Sequence, residues 1–396
     1  MPNESWGEKA PQVSARLLIA AGILVSQVRY PGPKLWAASP LPWLRAFIAG
    51  DLPRRTLELH NKHGPVVRTG PNELSFNSAE YWEAVMGYRK AGEPENMKAA
   101  YVAAHDPHTI VFASRDDHSR IRRMMSHGFS TSSMLEKQPV IRKKLTAEKV
   151  ASRLALGEKV DFFQIMISRK NGLTMSDVEI RSNAETLIIA GSETLATALT
   201  GTTYLLTANP RALHKLADEV RSSFISEDEI DMLSTGKLTY LQAVIEESLR
   251  VYPPTPNGFP REALAEGTII LGQHVPAKTV LACQHYSAYH SESNFKYPEA
   301  FIPERFLGDL EFASDRRDVL QPFSFGPRNC IGKNLAYAEM RMILARIIWN
   351  FDLTLAEDCR NWYNENVEHG GFIVWAKPPL HIHLKPRQLV PRGSNV

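Results

Sequence analysis

The stretch FSFGPRNCIGKNLA, residues 323 to 336, sets Cys330 between Gly326 and Gly332 and between the basic residues Arg328 and Lys333, directly ahead of a helical pattern. A lone cysteine is most often a small buried hydrophobe. Here the surroundings argue otherwise. Residues Lys333 to Phe351 read as an amphipathic helix, with Ala336, Met340, Ile343, Leu344 and Ile347 along one stripe. Cys330 therefore lies just before a helix N-terminus, where free backbone N–H groups and the positive end of the macrodipole favour a thiolate. The two glycines remove Cβ bulk, so a flat ligand can approach the backbone closely. Such a loop suits a thiolate that holds a metal and accepts N–H bonds at its sulfur.

Counting cysteines narrows the metal. The chain has three, Cys283, Cys330 and Cys359, with no CxxC pair and no histidine nearby at ligand spacing. Structural zinc and iron–sulfur clusters normally take several protein ligands, which argues against both. One thiolate suffices when a cofactor supplies the other ligands, and haem supplies four nitrogens. The positions Phe323, Gly326, Arg328, Cys330 and Gly332 resemble the haem-binding signature of the cytochrome P450 family. The resemblance implies heme b, with an axial thiolate from Cys330 and the other four residues around it.

The bulk composition allows this and excludes little else. A chain of 396 residues with 43% hydrophobic and 22% charged residues can bury a sizeable core. A net charge of +3 is too mild to argue for nucleic acid. Three cysteines without a framework fit a reducing, cytosol-facing environment.

Near the N-terminus, ARLLIAAGILVSQV, residues 15 to 28, is apolar but short for a bilayer span. It reads as a short core helix, an interfacial anchor or the remnant of a longer one. YPGPK, residues 30 to 34, then stops any helix. In microsomal P450 members a proline-rich hinge follows the anchor, so the resemblance favours residues 1–29 as a short anchor on the cytosolic face of the endoplasmic reticulum membrane. Residues 30–388 form the haem-thiolate domain. LVPRGS, residues 389 to 394, spells a common engineered protease site, and 389–396 is set aside as its scar or a tail.

Most of the chain is helical by pattern with a small β portion. VVRTGPNELSF, residues 66 to 76, reads as two strands about a Gly-Pro turn, and TIILGQHVPAKTVLAC, residues 268 to 283, as a second hairpin. The longest helix should start at the capping box SDVE, residues 176 to 179, and run to Asn209-Pro210. At about thirty residues, apolar on most faces, it should cross the core. Into its middle falls AGSET, residues 190 to 194, where Gly191 weakens the helix and Ser192, Glu193 and Thr194 are polar at positions expected to be buried. Thr194 can bond the Ala190 carbonyl and loosen the ladder, or simply cap a packing kink. AGSET resembles the oxygen-binding helix signature of P450s, which implies that Glu193 and Thr194 relay protons to dioxygen in a dry pocket.

In YLQAVIEESLRVYPP, residues 240 to 254, Glu247 and Arg250 share a helix face and can pair. Alone this is weak, since exposed pairs of this kind are common. Beside the cysteine loop it resembles the family's ExxR element, and PERF, residues 303 to 306, resembles the segment whose arginine completes the triad. The resemblance gives Glu247, Arg250 and Arg305 a structural role in fixing the loop. His118 and Arg122 stand four apart on a helical stretch, either as a solvated basic face or as one surface for an anion. By resemblance they bind haem propionates, with Arg261 after NGFP and Arg328 as further partners. Phe259 and residues 101 to 111 are the substrate-contact candidates.

The wording of PGPK, GPNELSF, AGSETLAT and NGFPR is similar to filamentous-fungal secondary-metabolism P450s, such as isotrichodermin and averantin hydroxylases. This implies a mainly α, P450-like fold with small β-sheets. It also implies hydroxylation or epoxidation of an apolar polyketide or terpenoid with dioxygen and electrons from NADPH-cytochrome P450 reductase. One departure matters. Between Arg122 and Ser176 there is room for two or three helices where the family has several more. QPVIRKKL, residues 138 to 145, runs straight into TAEKVASRLALGEKVDFFQIM, residues 146 to 166. An active hydroxylase with a reduced pocket, a non-catalytic haem-binding remnant, and a haem-thiolate isomerase or peroxygenase all stay open.

Overall fold

The computed structural model describes residues 30–90, 92–99, 106–136, 175–363 and 369–387. The apolar stretch 15–28, the join near residue 145, residues 101–105 and the tail from 389 lie outside them. The strands among the described residues are β1 (Val66–Gly70), β2 (Glu73–Phe76), β3 (Arg261–Glu262), β4 (Thr268–Ile270), β5 (Gln273–Val275), β6 (Val280–Cys283), β7 (Phe351–Leu355), β8 (Gly370–Gly371), β9 (Trp375–Ala376) and β10 (Ile382–Pro386). Helices dominate, as the sequence implies.

The expected β1–β2 hairpin is present, antiparallel, with Val66 opposite Phe76. The second expected hairpin divides. β4 pairs with β5, but a turn at Pro276–Thr279, with Lys278 at φ 61°, redirects the chain, and β6 joins the first sheet. There it runs parallel to β2, with Leu74 beside Leu281, and β3 closes the order β1-β2-β6-β3. Period-two alternation marks a strand without choosing its partner, which is why the pattern alone read one hairpin.

The long helix spans Asp177–Ala208 without a break. Its capping box is formed: the Ser176 hydroxyl accepts from the Glu179 N–H at 3.3 Å, and Glu179 accepts the Ser176 N–H at 2.8 Å. Its two ends are packed. Ile180, Ala184 and Leu187 share an apolar cluster with Ile121, Met125, Ile331 and Leu335. Leu195, Ala198, Leu199 and Leu205 join the main core with Val244, Ile245, Leu344 and Ile348. Between these ends the helix departs from expectation. Ile188 and Ile189 are 62% and 71% exposed, and Gly191, Ser192 and Glu193 are exposed as well.

The helix that follows the cysteine, Lys333–Asn350, also differs from its expected form. Ala338, Met340, Met342, Leu344, Ala345, Ile348 and Trp349 are all buried, so it is packed on several sides instead of along one stripe. It lies against the helices Asp177–Ala208, Pro210–Ser223, Met232–Thr235 and Thr239–Val251. A helix with this much company loses its polar face.

Candidate active site

Beneath the site is a buried ion network built on the helix Thr239–Val251. Glu247 accepts two bonds from Arg250, each 2.8 Å, and one from Arg305 at 3.0 Å. Arg305 also pairs with Asp315, and all four side chains are fully buried. Two guanidiniums thus meet two carboxylates, so the network is neutral. The remaining Arg250 donors go to the carbonyls of Tyr289, Pro298 and Ala300 at 2.6–2.9 Å. Arg305 lies over the Phe312 ring at 4.7 Å.

The network reaches the cysteine loop through Tyr289. Its carbonyl accepts from Arg250, while its hydroxyl accepts the Gln321 N–H at 3.0 Å, two residues before Phe323. The Phe323 carbonyl in turn accepts the Cys330 N–H at 2.8 Å. Gly326 is required for two reasons. Its φ is 74°, and a Cβ there would stand 1.8 Å from the Met86 carbonyl oxygen. Phe323 packs on Tyr337, with ring centroids 5.0 Å apart. Gly332 caps the following helix, and a Cβ there would face the Cys330 sulfur at 3.8 Å.

Cys330 is exposed, while Cys283 and Cys359 are buried. Solvent reaches it, although protein crowds it on most sides. That crowding pushes its thiol up, against the pull of the Gly332 N–H and the charges of Arg122 and Lys333. The helix N-terminus therefore supplies the expected donors without making a free thiolate. A metal that displaces the proton would complete what they begin.

Along one edge of the cysteine loop cations gather. Arg122 holds the loop itself, donating to the Asn329 carbonyl at 2.7 Å and its side-chain oxygen at 2.5 Å. Arg328 pairs with Glu95 at 2.7 Å and donates to the Ala113 carbonyl at 3.1 Å. Arg261 is 4% exposed, its Nε rests on the Met86 sulfur at 3.1 Å, and its buried Nη1 has no hydrogen-bond partner. His118 is buried, and its ring is pushed down to about 3 by burial and then by Arg328, Arg122, Lys98 and Arg261. Lys98, which the sequence reading missed, belongs with them. Burial and then Arg261 and Arg328 bring its ammonium down to about 7. It is carried there by an isolated β-bridge between Lys98 and Arg261. Lys98, Arg122, Arg261 and Arg328 are offset here by Glu95, leaving an excess of positive charge that two carboxylates would largely offset. Haem carries two propionates, so the residues present fit the group.

On the long helix, Leu187, Gly191, Thr194 and Ala198 fall on one stripe. Its ends pack as described, yet at Gly191 a Cβ would meet nothing within 4 Å, and Thr194 is only half-buried. The Thr194 hydroxyl donates to the Ala190 carbonyl at 2.6 Å, as the sequence suggests, and the helix does not break. Glu193 is bound outward, with Lys377 at 2.7 Å, and this lysine holds its carboxyl below the usual range. Phe259 is 39% exposed, with the Lys98 ammonium 5.9 Å from its ring centroid.

Comparison with known proteins meets this geometry. The sequence model of the family described as Cytochrome P450 matches residues 138–383. The chain belongs to the cytochrome P450 family. It is 37% identical, over 90% of its length and 92% of the other's, to a cytochrome P450 monooxygenase of Talaromyces wortmannii. The trichothecene C-15 hydroxylase of Fusarium sporotrichioides is 34% identical over 90% and 93%, and the averantin hydroxylase of Dothistroma septosporum 35% over 92% and 88%. It is thus a P450 monooxygenase whose relatives include fungal secondary-metabolite hydroxylases.

The same comparison bears on length. The alignment with the Talaromyces P450 runs over 457 positions, while 90% of this 396-residue P450 is about 356 residues, so about 100 positions face no residue here. The family match begins at residue 138, inside the stretch between Arg122 and Ser176 that reads as shortened.

Proposed function

We propose that this P450 hydroxylates or epoxidises an apolar small molecule of the polyketide or terpenoid kind, with Cys330 as the axial ligand of heme b. When bound, the haem supplies dioxygen activation and oxygen transfer; electrons come from NADPH-cytochrome P450 reductase. The observation that carries the reading is the surplus of cations beside an exposed cysteine, whose neighbour Ile331 shares an apolar cluster with Leu187 of the long-helix stripe. Lys98, His118, Arg122, Arg261 and Arg328 hold the propionates, and the Gly332 N–H steadies the sulfur. Glu247, Arg250 and Arg305 keep the loop in shape through Tyr289 and Gln321.

Thr194 offers a hydroxyl on the stripe, and Glu193 is the carboxylate beside it. To pass a proton inward, Glu193 must part from Lys377, whose pairing favours the ionised form. Phe259 and the segment around Ile110 border the substrate.

Association with the cytosolic face of the endoplasmic reticulum membrane is supported by an exposed apolar stripe. On the helix Leu41–Ile48, Leu41, Leu44 and Ile48 are exposed, with Leu35 and Ile373 also exposed. No helix among the described residues is long and apolar enough to cross a membrane.

A second reading, an impaired haem-binding remnant, is favoured by the exposure of Ile188 and Ile189 and by the missing positions. The ferrous carbonyl spectrum tests ligation. A red-shifted Soret band is expected, retained in Cys283→Ser and Cys359→Ser and abolished in Cys330→His; a band that survives in Cys330→His removes Cys330 as ligand. Reductase-dependent turnover against a panel of apolar metabolites then separates the two readings, since a remnant yields the band without product.

A further inference from the structure

We infer that Asp358, Cys359 and His381 form a site for a divalent cation of borderline softness, of which zinc is the probe, at the open end of the β7–β10 pair. Local spacing hides this set, because Cys359 and His381 are 22 residues apart and are joined by the fold. β7 and β10 pair in register from Ile382 opposite Leu355, which brings the start of β10 beside the turn Glu357–Cys359 that follows β7. The Ala356 N–H donates to the His381 carbonyl at 3.1 Å, closing this corner.

A carboxylate oxygen, the sulfur and an imidazole nitrogen all lie within 4.8 Å of one another. At a tetrahedral angle, zinc–sulfur and zinc–nitrogen bonds of about 2.3 and 2.1 Å set the two atoms about 3.6 Å apart, so one ion draws the set together by up to about 1.2 Å, a movement open to the exposed Asp358 and His381 side chains. The three groups already engage each other. His381 Nδ1 is 2.8 Å from Asp358 Oδ2, and the His381 N–H donates to the Cys359 sulfur at 3.2 Å. The Cys359 thiol also donates weakly to the Pro379 carbonyl at 3.9 Å. An N–H aimed at sulfur is the arrangement that steadies a metal-bound thiolate, and the thiol proton released on binding leaves to solvent at the exposed side of the site. Cys359 is buried whereas Asp358 and His381 are exposed, so the ion enters from solvent and keeps a water as fourth ligand. It would staple the two strands.

Zinc is titrated into the full haem-loaded chain in competition with a chromophoric chelator, and the bound ion is examined by X-ray absorption at the zinc edge. One zinc per chain with a single sulfur neighbour is expected. His381→Asn and Asp358→Asn, both at the surface, should each weaken binding more than about tenfold. Unaltered affinity in His381→Asn, a zinc shell without sulfur, or no zinc retained at micromolar concentration would each overturn the inference. If Cys359→Ser fails to fold, the two surface variants still decide it, and neither touches Cys330.

Discussion

The ground under Cys330 and the middle of the long helix are built to opposite standards. Behind the cysteine loop, Glu247, Arg250, Arg305 and Asp315 are sealed from water with matched charges, and their donors go to carboxylates or backbone carbonyls. On the long helix, Ile188 and Ile189 stand in solvent, and Glu193 turns to Lys377. The difference teaches that the two faces of a cofactor site can depend on separate parts of a chain. The cysteine face is assembled mainly from residues 240 to 350, with Met86 and Arg122 bracing the loop, all at hand. The helix face needs cover from elsewhere, and about 100 positions of its relatives have no counterpart here.

Four substitutions test that contrast. The largest effect should come from Asp315→Ala, which leaves Arg305 buried with Glu247 as its remaining carboxylate; about 3–5 kcal/mol of stability should be lost, read from denaturant midpoints. A loss under about 1 kcal/mol would show that the network is less tightly sealed than its geometry. Gly326→Ala should follow, with at least ~1 kcal/mol lost, because φ 74° and the Met86 carbonyl both oppose a Cβ. A stable Gly326→Ala chain would mean that the loop readily moves.

Next comes a pH effect at the cation edge. In the folded, haem-free chain Lys98 releases its proton near 7, whereas the unfolded chain keeps it to about 10.5. Between these values the unfolded state binds more protons, so stability should rise with pH from about 7 upward, and the penalty is fully present below 7. Lys98→Met should flatten this slope in denaturant titrations from pH 6.5 to 9, where pH is the only variable. An unchanged slope would detach Lys98 from the cluster. Smallest of all, Ile189→Ser should change stability by less than about 0.5 kcal/mol, because the side chain is already wet. A loss of several times that size would mean that the helix is covered in solution.

Thr194 distinguishes function from packing on the same face. Thr194→Ala removes a hydroxyl whose bond is to its own helix, so the folded state should persist. If the carbonyl band is kept but reducing equivalents are diverted to peroxide, the hydroxyl serves proton delivery. Equal coupling in both proteins would take it out of the mechanism.

What could be read from sequence follows the range of each interaction. The capping box at Ser176, the Glu247–Arg250 pair and the cysteine turn depend on residues a few positions apart, and their spacing shows them. Asp315 carries no such mark: it meets Arg305 through folding of the segment between them. Lys98 is brought in by a bridge to Arg261, more than 150 residues away. Burial of Ser192 and Glu193 was inferred from an apolar helix, but apolarity says only that cover is wanted, not that it is supplied. The Cys359–His381 approach likewise depends on strand register, which cysteine spacing cannot report.

The parallel junction of β2 with β6 has a consequence for the order of assembly. It ties Leu74 to Leu281 across some two hundred residues, so closing it must wait on the closure of a long loop. Helices from 177 onward meet near neighbours and should gather first, with the ion network already neutral before the N-terminal sheet arrives. In pulse-labelled hydrogen exchange during refolding, amides of Thr239–Val251 should gain protection ahead of those of β1 and β2. Simultaneous protection would instead make the sheet part of the nucleus. A chain that lengthens or shortens between the two strands then alters mainly how long that last junction takes to form.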